Sequence, residues 1–417
     1  MTPKLRAGLD EFSRGLQREW QFILATSAAS GAGYLGTVAA PVLVQALIDS
    51  GLNYQQAGNL GTIELTMLAL TSMLITPYAP SVSHRKLAIG GAVLAAVGLT
   101  VSALSISHQA MVIGRIITGI GSGFAISGAN AAIAAREDAE RIFAIIWTLG
   151  GGVTAAVARY MPAHVAGGNY PFGFSILVVL CLIGIPFMAW MPPRPVSLGA
   201  ERVERSAGAD VPDAEPAGLR AVFGPMTLMA LFGMLIYSAA EQALWQFAYN
   251  IPVESGIDEE TASKVLAFTT LMGLAGGAFA AMLGVRLGRI TPLVVGSLCS
   301  VAGRWIYIAA SGPEWLFLGG LLWGLGFYFV SPYQLGLVAA LDRRGRVAVA
   351  GGAAFNFGYA LGPAIAGWIL QHMDHGTLIA AVCGATLLSM FLMLPLAIRV
   401  QRGRASESEP AAAAAPG

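Results

Sequence analysis

The stretch FGFSILVVLCLIGIPFMAW, residues 172–190, contains no charged side chain. A transmembrane helix needs about 20 consecutive apolar residues, so this stretch predicts a membrane span. Stretches of the same kind recur along the chain on both sides of it. The sequence predicts an all-α membrane protein with twelve transmembrane helices, at residues roughly 21–49, 57–80, 88–107, 110–135, 142–165, 172–190, 221–250, 262–284, 291–311, 315–340, 347–372 and 378–397.

The composition agrees with a chain that lies within the membrane. Of its 417 residues 56% are hydrophobic and only 11% are charged, whereas a soluble domain carries about 25% charged residues. The 52 glycines suit helices that pack closely in lipid. Cys181, Cys299 and Cys383 lie inside apolar spans at unrelated spacings, so we expect small core residues rather than metal ligands or disulfides.

Enzymatic and nucleotide-driven functions find no support in the sequence. No stretch outside the spans is long enough for a catalytic domain, and no Gly-Lys phosphate-binding motif is present. Four histidines near the outer ends of spans have spacings that do not build a metal site: His108, His164, His372 and His375. We therefore predict a protein that is not an enzyme and that uses no cofactor and no metal.

A charged segment separates the first six spans from the last six. Residues 191–220 are rich in proline, alanine, glycine and acids and cannot bury a core, so they predict a cytoplasmic linker. This linker joins an N-terminal six-helix half at 21–190 to a C-terminal half at 221–397. Residues 1–20 predict an amphipathic cytoplasmic lead-in, and residues 398–417 predict a disordered cytoplasmic tail.

The positive charges predict the orientation in the membrane. Twenty of the 24 lysines and arginines fall on one side of the spans, whereas the other side holds mainly acids such as Glu254 and Asp258. Because cytoplasmic loops carry an excess of Lys and Arg, both termini and the linker are predicted to be cytoplasmic. The expected location is the inner (plasma) membrane of the cell, with the lipid bilayer as a partner and no nucleic acid.

A shift of 205 positions lays the second half over the first. The matching pairs are Ser50-Gly51 with Ser255-Gly256, Ala57 with Ala262, Met67 with Met272, Gly114 with Gly319, Gly119 with Gly324, Gly121 with Gly326, and Ala134-Ala135 with Ala339-Ala340. Six spans in each half give both halves the same orientation, so the repeat is parallel about an axis along the membrane normal. Substrate sites in such proteins lie near the midplane at the interface between repeats.

These features resemble the major facilitator superfamily of transporters over residues 21–397. Its signature loop reads G-x-x-x-D-R-x-G-R-R. The matching stretch here, Ala79-Pro-Ser-Val-Ser-His84-Arg85-Lys86, keeps the basic residues but lacks the aspartate and second glycine, and the copy Val285-Arg286-Leu287-Gly288-Arg289 keeps R-x-G-R. Span 4 carries Arg115-x-x-Thr118-Gly119-x-Gly121-x-Gly123, which is similar to the family's helix-4 motif. The resemblance implies two pseudo-symmetric six-helix halves, with helices 1, 4, 7 and 10 lining a cavity and helix 9 outside the bundle.

The family's antiporter motif, G-x-x-x-G-P-x-x-G in helix 5, is absent here. Gly150-Gly151-Gly152 has no Gly-Pro after it, and a similar string stands instead in span 11, as Gly358-x-x-x-Gly362-Pro363-x-x-x-Gly367. This difference favours uptake, and proton-antiport efflux of drugs or metabolites is the alternative.

Four ionisable residues lie well inside spans: Glu64, Arg115, Glu241 and Arg304. Each costs about 2.5–3.5 kcal/mol at the bilayer centre unless it is paired or hydrated. One acid and one base in each half predict the pairs Glu64–Arg115 and Glu241–Arg304, which act either in a proton relay or as static clamps. Since helix 7 lines the family's cavity, we predict that Glu241, together with Glu64, carries the coupling proton. The outside position of helix 9 argues against such a role for Arg304.

Aromatic and polar side chains predict an apolar, aromatic-rich pocket for a solute, although helix packing explains the same stripes. Arg115 is predicted either to hold an anionic group of the solute or to set the protonation of its carboxylate neighbour. Tyr237 and Trp245 share a helical stripe with Glu241. The other residues predicted to bind the solute are Tyr34, Gln242, Tyr333, Asn356 and Tyr359.

The sequence thus predicts a secondary active transporter that works by alternating access, as a monomer. Its expected partners are protons and a small organic solute, which is amphipathic or aromatic and can be anionic, taken up together with the protons. A rival of another class is a non-transporting membrane sensor or assembly factor on the same fold. The buried Glu241 and Arg115 argue against that rival.

The predicted topology is testable with single cysteines introduced at Ser197, in the linker, and at Gly256, between spans 7 and 8. We expect an impermeant thiol reagent to label the two positions from opposite sides of the membrane, because basic residues mark the cytoplasmic side. Labelling of both positions from the outside would contradict this orientation.

Overall fold

The architecture is described from a computed structural model of the chain. The described residues are 3–78, 82–105, 107–134, 136, 139–192, 224–284, 286–341 and 346–413. We call the side predicted to face the cytoplasm the inner side and the opposite side the outer side.

Twelve long α-helices make up most of the described residues, and no strand occurs among those residues. They are α1 Pro3–Asp49, α2 Tyr54–Ile75, α3 His84–Ala103, α4 His108–Ala134, α5 Ala139–Tyr160, α6 Tyr170–Met188, α7 Pro225–Gln246, α8 Glu259–Leu283, α9 Ile290–Ile308, α10 Pro313–Ala339, α11 Arg346–His372 and α12 His375–Ala413. Short helices at Pro162–Val165 and Asn250–Glu254 lie in the outer connections.

Eleven of these helices, judged over the described residues, are long and apolar enough to cross a membrane. The remaining one, α5, has 22 residues and is on average as apolar as α2 and α3. It occupies the position of the fifth predicted span. The protein is therefore the multi-pass, all-α membrane protein that the sequence predicts.

Both terminal helices extend beyond the predicted spans. α1 begins at Pro3, so the predicted lead-in at 1–20 continues into the first span without a break. α12 continues to Ala413, through most of the tail that the sequence predicts to be disordered. Its alanines favour this extension, because alanine has the highest helix propensity. Most of the predicted linker, residues 193–220, lies outside the described residues, so its cytoplasmic location stays a prediction.

Aspartate caps define where two helices begin on the outer side. Asp258 Oδ1 accepts a hydrogen bond of 2.8 Å from the Thr261 backbone N–H at the start of α8. Asp374 Oδ1 accepts one of 2.7 Å from the Thr377 N–H at the start of α12. These hydrogen bonds favour the charged carboxylate and lower the pKa of both aspartates. Each cap satisfies an N–H group that the helix itself leaves without a partner.

The helices group into two compact units. The first comprises Met1–Val38, Thr66–Val153 and Tyr170–Pro212, and the second comprises Ala39–Leu65, Thr154–Asn169 and Asp213–Gly417. The first unit thus contains most of α1 to α6. The second unit contains α7 to α12 together with the outer ends of α1, α2 and α5. This grouping differs from a division at the linker, because those outer ends pack on the C-terminal helices.

The predicted offset of 205 residues recurs in the helix packing. In the first unit, a Cβ added to Gly98 of α3 would collide with the backbone nitrogen of Thr118 in α4. In the second unit, a Cβ added to Gly303 of α9 would collide in the same way with the nitrogen of Trp323 in α10. The glycines therefore allow two pairs of helix backbones to approach closely at equivalent positions.

Further close contacts repeat with the same offset. Gly121 lies against Ala95 as Gly326 lies against Ser300, and Gly91 lies against Ala125 as Gly296 lies against Val330. The helix starts agree, since Tyr54, His108 and Tyr170 are each 205 residues before Glu259, Pro313 and His375. The prediction of two pseudo-symmetric six-helix halves is confirmed, and the repeat extends to Gly91 and Gly98, which the sequence comparison missed.

Adding one methyl group to these glycines tests the packing. We expect Gly303→Ala and Gly98→Ala to lower the melting temperature of the purified protein, because overpacking a tight contact costs about 1–3 kcal/mol. The matched control is Gly277→Ala in α8, where an added Cβ meets no atom within 4 Å. That control should keep or raise the melting temperature, since alanine is the better helix former by about 1 kcal/mol. Equal effects at the three positions would contradict the packing.

Candidate functional site

An ion pair is buried inside the C-terminal half, between α7 and α9. Glu241 of α7 is 6% exposed, and its Oε2 accepts a 2.6 Å hydrogen bond from Nη2 of Arg304 in α9. The same oxygen accepts a 2.8 Å hydrogen bond from Nε1 of Trp323 in α10. The predicted pairing of Glu241 with Arg304 is confirmed, and Trp323 joins it.

The arginine of this pair is completely buried. Arg304 is 0% exposed, its Nη1 donates to Thr386 Oγ1 of α12, and its guanidinium carbon lies 5.4 Å from the centre of the Tyr237 ring. Helix α9 also carries exposed side chains such as Trp305, which agrees with the expected outside position, but Arg304 on the same helix is buried. An arginine on an outer helix is long enough to reach the middle of its own six-helix half, where it contacts α7 and α12.

Aromatic rings surround the ion pair. Trp323 packs edge-on against Tyr307 at 5.2 Å and against Trp245 at 6.3 Å between ring centres. Tyr237 stacks on Phe327 at 5.6 Å with an angle of 11° between the rings. The Tyr307 hydroxyl donates a 2.6 Å hydrogen bond to the Ala248 carbonyl. These rings help to bury the pair, so the attraction between the two charges is strong.

The N-terminal half has no such ion pair at the equivalent positions. Subtracting 205 from Glu241 and Arg304 gives Gly36 and Leu99. Leu99 is 1% exposed, so an apolar side chain fills the position of the arginine there. A six-helix half of this fold therefore forms without charges at these two positions.

Arg115 of α4 is directed towards α3 and α6 of the first unit. It is 4% exposed, and its Nη2 and Nε donate hydrogen bonds of 3.0 and 3.3 Å to the Ser102 hydroxyl. Its guanidinium lies 4.6 Å from the centre of the Phe174 ring, a cation–π contact. Glu64 of α2 is 7% exposed and belongs to the second unit. The predicted Glu64–Arg115 pair thus stays a prediction.

Of the other residues predicted to bind the solute, three lie on α7 with Glu241 and one lies in the first unit. Tyr237 and Gln242 are buried beside Glu241 on α7, and Trp245 is half-buried at the edge of the same cluster. In the first unit, the half-buried Tyr34 lies 6.5 Å from Trp147, measured between ring centres.

Of the three further predicted residues, Tyr333 lies away from the ion pair along α10, and Asn356 and Tyr359 lie on α11. The Tyr333 hydroxyl donates a 2.7 Å hydrogen bond to the Gly284 carbonyl at the inner end of α8. Tyr333 is ten residues after Trp323, or about 15 Å along α10. On α11, Asn356 is exposed, and the half-buried Tyr359 packs against Phe355 at 4.8 Å between ring centres. The structure therefore groups Glu241, Tyr237, Gln242 and Trp245, and separates Tyr333 from them.

A second polar contact lies at the outer ends of α1 and α7, within the second unit. Asn250 Nδ2 donates a 2.6 Å hydrogen bond to Gln45 Oε1. These residues are themselves 205 positions apart, so the two equivalent positions of the repeat touch each other there. The sequence analysis did not identify this contact.

Neighbouring outer contacts in the second unit join α2 to α11 and α5 to α8. A Cβ added to Gly58 of α2 would collide with the Pro363 carbonyl, and the Ala364 N–H donates a 2.9 Å hydrogen bond to the Thr62 hydroxyl. On the α5 side, the Ser263 hydroxyl donates a 3.0 Å hydrogen bond to the Arg159 carbonyl. These joints consist of close backbone packing and single hydrogen bonds, and the α5–α8 joint adds an exposed ion pair of 3.8 Å between Arg159 and Glu260.

Sequence reasoning missed Trp323 and Thr386 as partners of the ion pair. A comparison of the two halves at the offset of 205 would have indicated the region, because charged residues in one half fall on Gly36 and Leu99 in the other. It would not have shown which neighbouring helix each side chain contacts.

Comparisons with known proteins agree with this architecture. The family profile described as the Major Facilitator Superfamily matches residues 22–351 of the chain. No curated protein matches the chain.

Solved structures share the fold at low sequence identity. A crystal structure of the peptide transporter POT, a glutamate-to-glutamine mutant in complex with sulfate, is 15% identical with a TM-score of 0.66 and covers 91% of this chain and 94% of that chain. A POT family transporter in complex with 5-aminolevulinic acid is 13% identical with a TM-score of 0.67 and covers 93% of this chain and 96% of that chain. At such identities the likeness concerns the fold.

Proposed function

Because this chain belongs to the Major Facilitator Superfamily, we propose that it is a proton-coupled secondary transporter that takes up a small organic solute. Its membrane is the cell's inner membrane, both termini are cytoplasmic, and it acts as a monomer. The observation that supports proton coupling is the buried Glu241–Arg304 pair, with its oxygen at 2.6 Å from the guanidinium nitrogen. The equivalent positions in the other half are apolar, so function is the simpler reason for the two charges.

Protonation of Glu241 changes the interactions among three helices. As a carboxylate, Glu241 of α7 attracts Arg304 of α9 and accepts hydrogen bonds from Arg304 and Trp323. As a neutral acid it loses that charge attraction, and Arg304 gains the freedom to take other partners. A proton thereby favours a different arrangement of α7, α9 and α10, which is the kind of differential interaction that a shift between two conformations requires.

We assign Glu64 a second, supporting role in proton coupling. Glu64 is a buried acid inside a membrane-spanning helix, α2. Within the first unit, Ser102 already occupies two nitrogens of Arg115, so we do not assign Arg115 to holding the solute.

Alternating access requires that the outer contacts separate. The joint between α2 and α11 and the contact between Gln45 and Asn250 consist of close packing and single hydrogen bonds. The joint between α5 and α8 adds one exposed ion pair, which contributes only about 0–1 kcal/mol. A net hydrogen bond contributes only about 0.5–1.5 kcal/mol. Contacts of this strength suit a gate that opens and closes in each transport cycle.

The solute that we propose is amphipathic or aromatic and can carry an anionic group. In the second unit, the half-buried rings of Trp245 and Tyr359 offer apolar faces with polar tips, which is typical of sites for such molecules. Tyr34 offers a similar ring in the first unit. In the POT family structure the bound molecule is 5-aminolevulinic acid. That compound, a dipeptide and a series of aromatic carboxylates are therefore the first solutes to screen by thermal shift of the purified protein.

The substitution Glu241→Gln tests proton coupling directly. Glutamine resembles the protonated acid and cannot release a proton, so exchange of the best solute from the screen should persist in proteoliposomes. Accumulation driven by an inward proton gradient should fall to the level seen without a gradient. The matched control is Glu259→Gln, the same change at an exposed acid on the outer side, which should accumulate like the wild type.

Two outcomes would argue against the proposal. Full gradient-driven uptake by Glu241→Gln would remove Glu241 from proton coupling. Loss of both exchange and thermal stability, partly restored by Arg304→Gln, would identify a static structural clamp. Solute extrusion driven by the gradient in the wild type would identify the alternative, proton-antiport efflux.

A further inference from the structure

Three buried serines beside the ion pair make no hydrogen bond within the protein. They are Ser297 and Ser300 on α9 and Ser389 on α12, each 0% exposed. A serine or threonine inside a helix commonly bonds to the carbonyl four residues earlier. Thr386 does so at 2.7 Å, and Ser331 does so at 2.7 Å. The three serines instead leave their hydroxyls without a partner inside the bundle.

Two further buried polar groups, one of them part of the ion pair, also lack a hydrogen-bond partner. The Tyr237 hydroxyl and Nε of Arg304 are buried and make no hydrogen bond within the protein. The hydroxyls of Ser300 and Ser331 approach that of Tyr237, but neither has the geometry of a hydrogen bond to it. An unsatisfied buried polar group costs about 1–3 kcal/mol, and native proteins avoid this cost with protein partners or internal water.

These groups lie in one direction from the ion pair, towards the inner side. Ser300 and Ser297 are four and seven residues before Arg304 on the same face of α9, which places Ser297 about 10 Å further in along the helix. On α12, which runs the opposite way, Ser389 lies three residues after Thr386. On α7, Tyr237 lies one turn inward of Glu241. We call Tyr237, Ser297, Ser300 and Ser389 the polar column.

Apolar side chains close the inner end of the polar column. The next residues inward on the same faces of α7, α9 and α12 are Met234, Leu293 and Met393, each 0% exposed. The column is therefore enclosed within the C-terminal half.

The N-terminal half provides an internal comparison. Subtracting 205 from Tyr237, Ser297, Ser300 and Ser389 gives the following residues: Ala32, Ala92, Ala95 and Gly184. Ala92 and Ala95 are 0% exposed, so the same fold packs these positions with apolar residues. At these four positions the C-terminal half has hydroxyl groups, and the N-terminal half has none. The hydroxyl groups lie on the inner side of the buried Glu241–Arg304 pair. We infer that they have a role beyond packing.

We propose that the polar column binds a cluster of internal water molecules that solvates Arg304. Ser300 lies about one helical turn inward of Arg304, and Tyr237 lies one turn inward of Glu241, so water at that depth can reach both hydroxyls and the Arg304 Nε–H. A buried water makes about three hydrogen bonds. The site has both donors and acceptors, since every hydroxyl can act as either.

The waters give Arg304 replacement partners when Glu241 is neutral. This role rests on the proposed proton coupling of Glu241, whereas the presence of the waters does not. A buried guanidinium without its carboxylate is strongly unfavourable unless other oxygens solvate it. The column supplies those oxygens on the inner side of Arg304, so the ion pair can open without exposing an unsolvated charge.

Hydroxyl-radical labelling tests for the waters. Radicals produced from water by synchrotron X-rays modify buried side chains that lie beside bound water, and mass spectrometry locates the modification. We expect Tyr237 to be labelled several-fold faster than Tyr307, which is equally buried but whose hydroxyl is satisfied by Ala248. The triple variant Ser297→Ala, Ser300→Ala and Ser389→Ala should reduce Tyr237 labelling to the level of Tyr307.

A thermal-stability cycle tests the role of the waters. Glu241→Gln alone and the triple alanine variant alone should each cause a small loss of melting temperature. Their combination should lose several degrees more than the sum, because it leaves Arg304 without carboxylate and without solvation. Adding Arg304→Leu, the residue of the other half, should restore stability. With Glu259→Gln in place of Glu241→Gln the losses should add.

Three results would overturn the proposal. Equal labelling of Tyr237 and Tyr307 would show a dry column. A melting temperature that rises with chloride, and does so only with the serines present, would identify an anion in place of water. Additive losses in the cycle would show that the column does not solvate Arg304, even where transport by Glu241→Gln supports proton coupling.

Discussion

The ion pair between Glu241 and Arg304 is the interaction on which this account depends. Two opposite charges 2.6 Å apart in a poorly solvated interior attract each other strongly, but each is expensive to bury alone. The pair is therefore stable while both charges are present and unstable once either is lost. A proton that neutralises Glu241 thus has an effect on α7 and α9 far larger than the same proton would have at the surface. That sensitivity makes the pair suitable for coupling a proton to a conformational change.

The scaffold holds this pair through close backbone packing that both halves share. Gly98 and Gly303 place α3 against α4 and α9 against α10 in the same way, 205 residues apart. Because the contacts repeat, differences between the halves are informative: both halves carry these glycines, and only the C-terminal half carries charges at the positions of Glu241 and Arg304. Arg304, Glu241 and the polar column fall on positions that are apolar in the N-terminal half. The C-terminal half thereby combines a common framework with its own buried polar chemistry.

Much of the fold could be predicted from the sequence, because apolar length, basic loops and a constant offset are one-dimensional signals. The Glu241–Arg304 pairing also followed, since one acid and one base in a half have few other ways to avoid an isolated buried charge. The position of Arg304 did not follow. Helix order places α9 outside, but a long side chain reaches several ångströms beyond its helix. The contact between Gln45 and Asn250 and the unbonded hydroxyls of Ser297 and Ser300 depend on rotamers and on neighbouring helices, which periodicity does not specify.

The central claim is that Glu241 takes up and releases a proton beside Arg304. Trp323 can report on it, because its indole N–H donates to the same Glu241 oxygen at 2.8 Å. The signal is the difference in fluorescence between the wild type and Trp323→Phe, followed across about pH 4 to 10, the range in which a perturbed carboxyl titrates. The account predicts one step in this signal, which Glu241→Gln abolishes and Glu259→Gln leaves in place. A signal that does not change with pH, or a step that persists in Glu241→Gln, would contradict it.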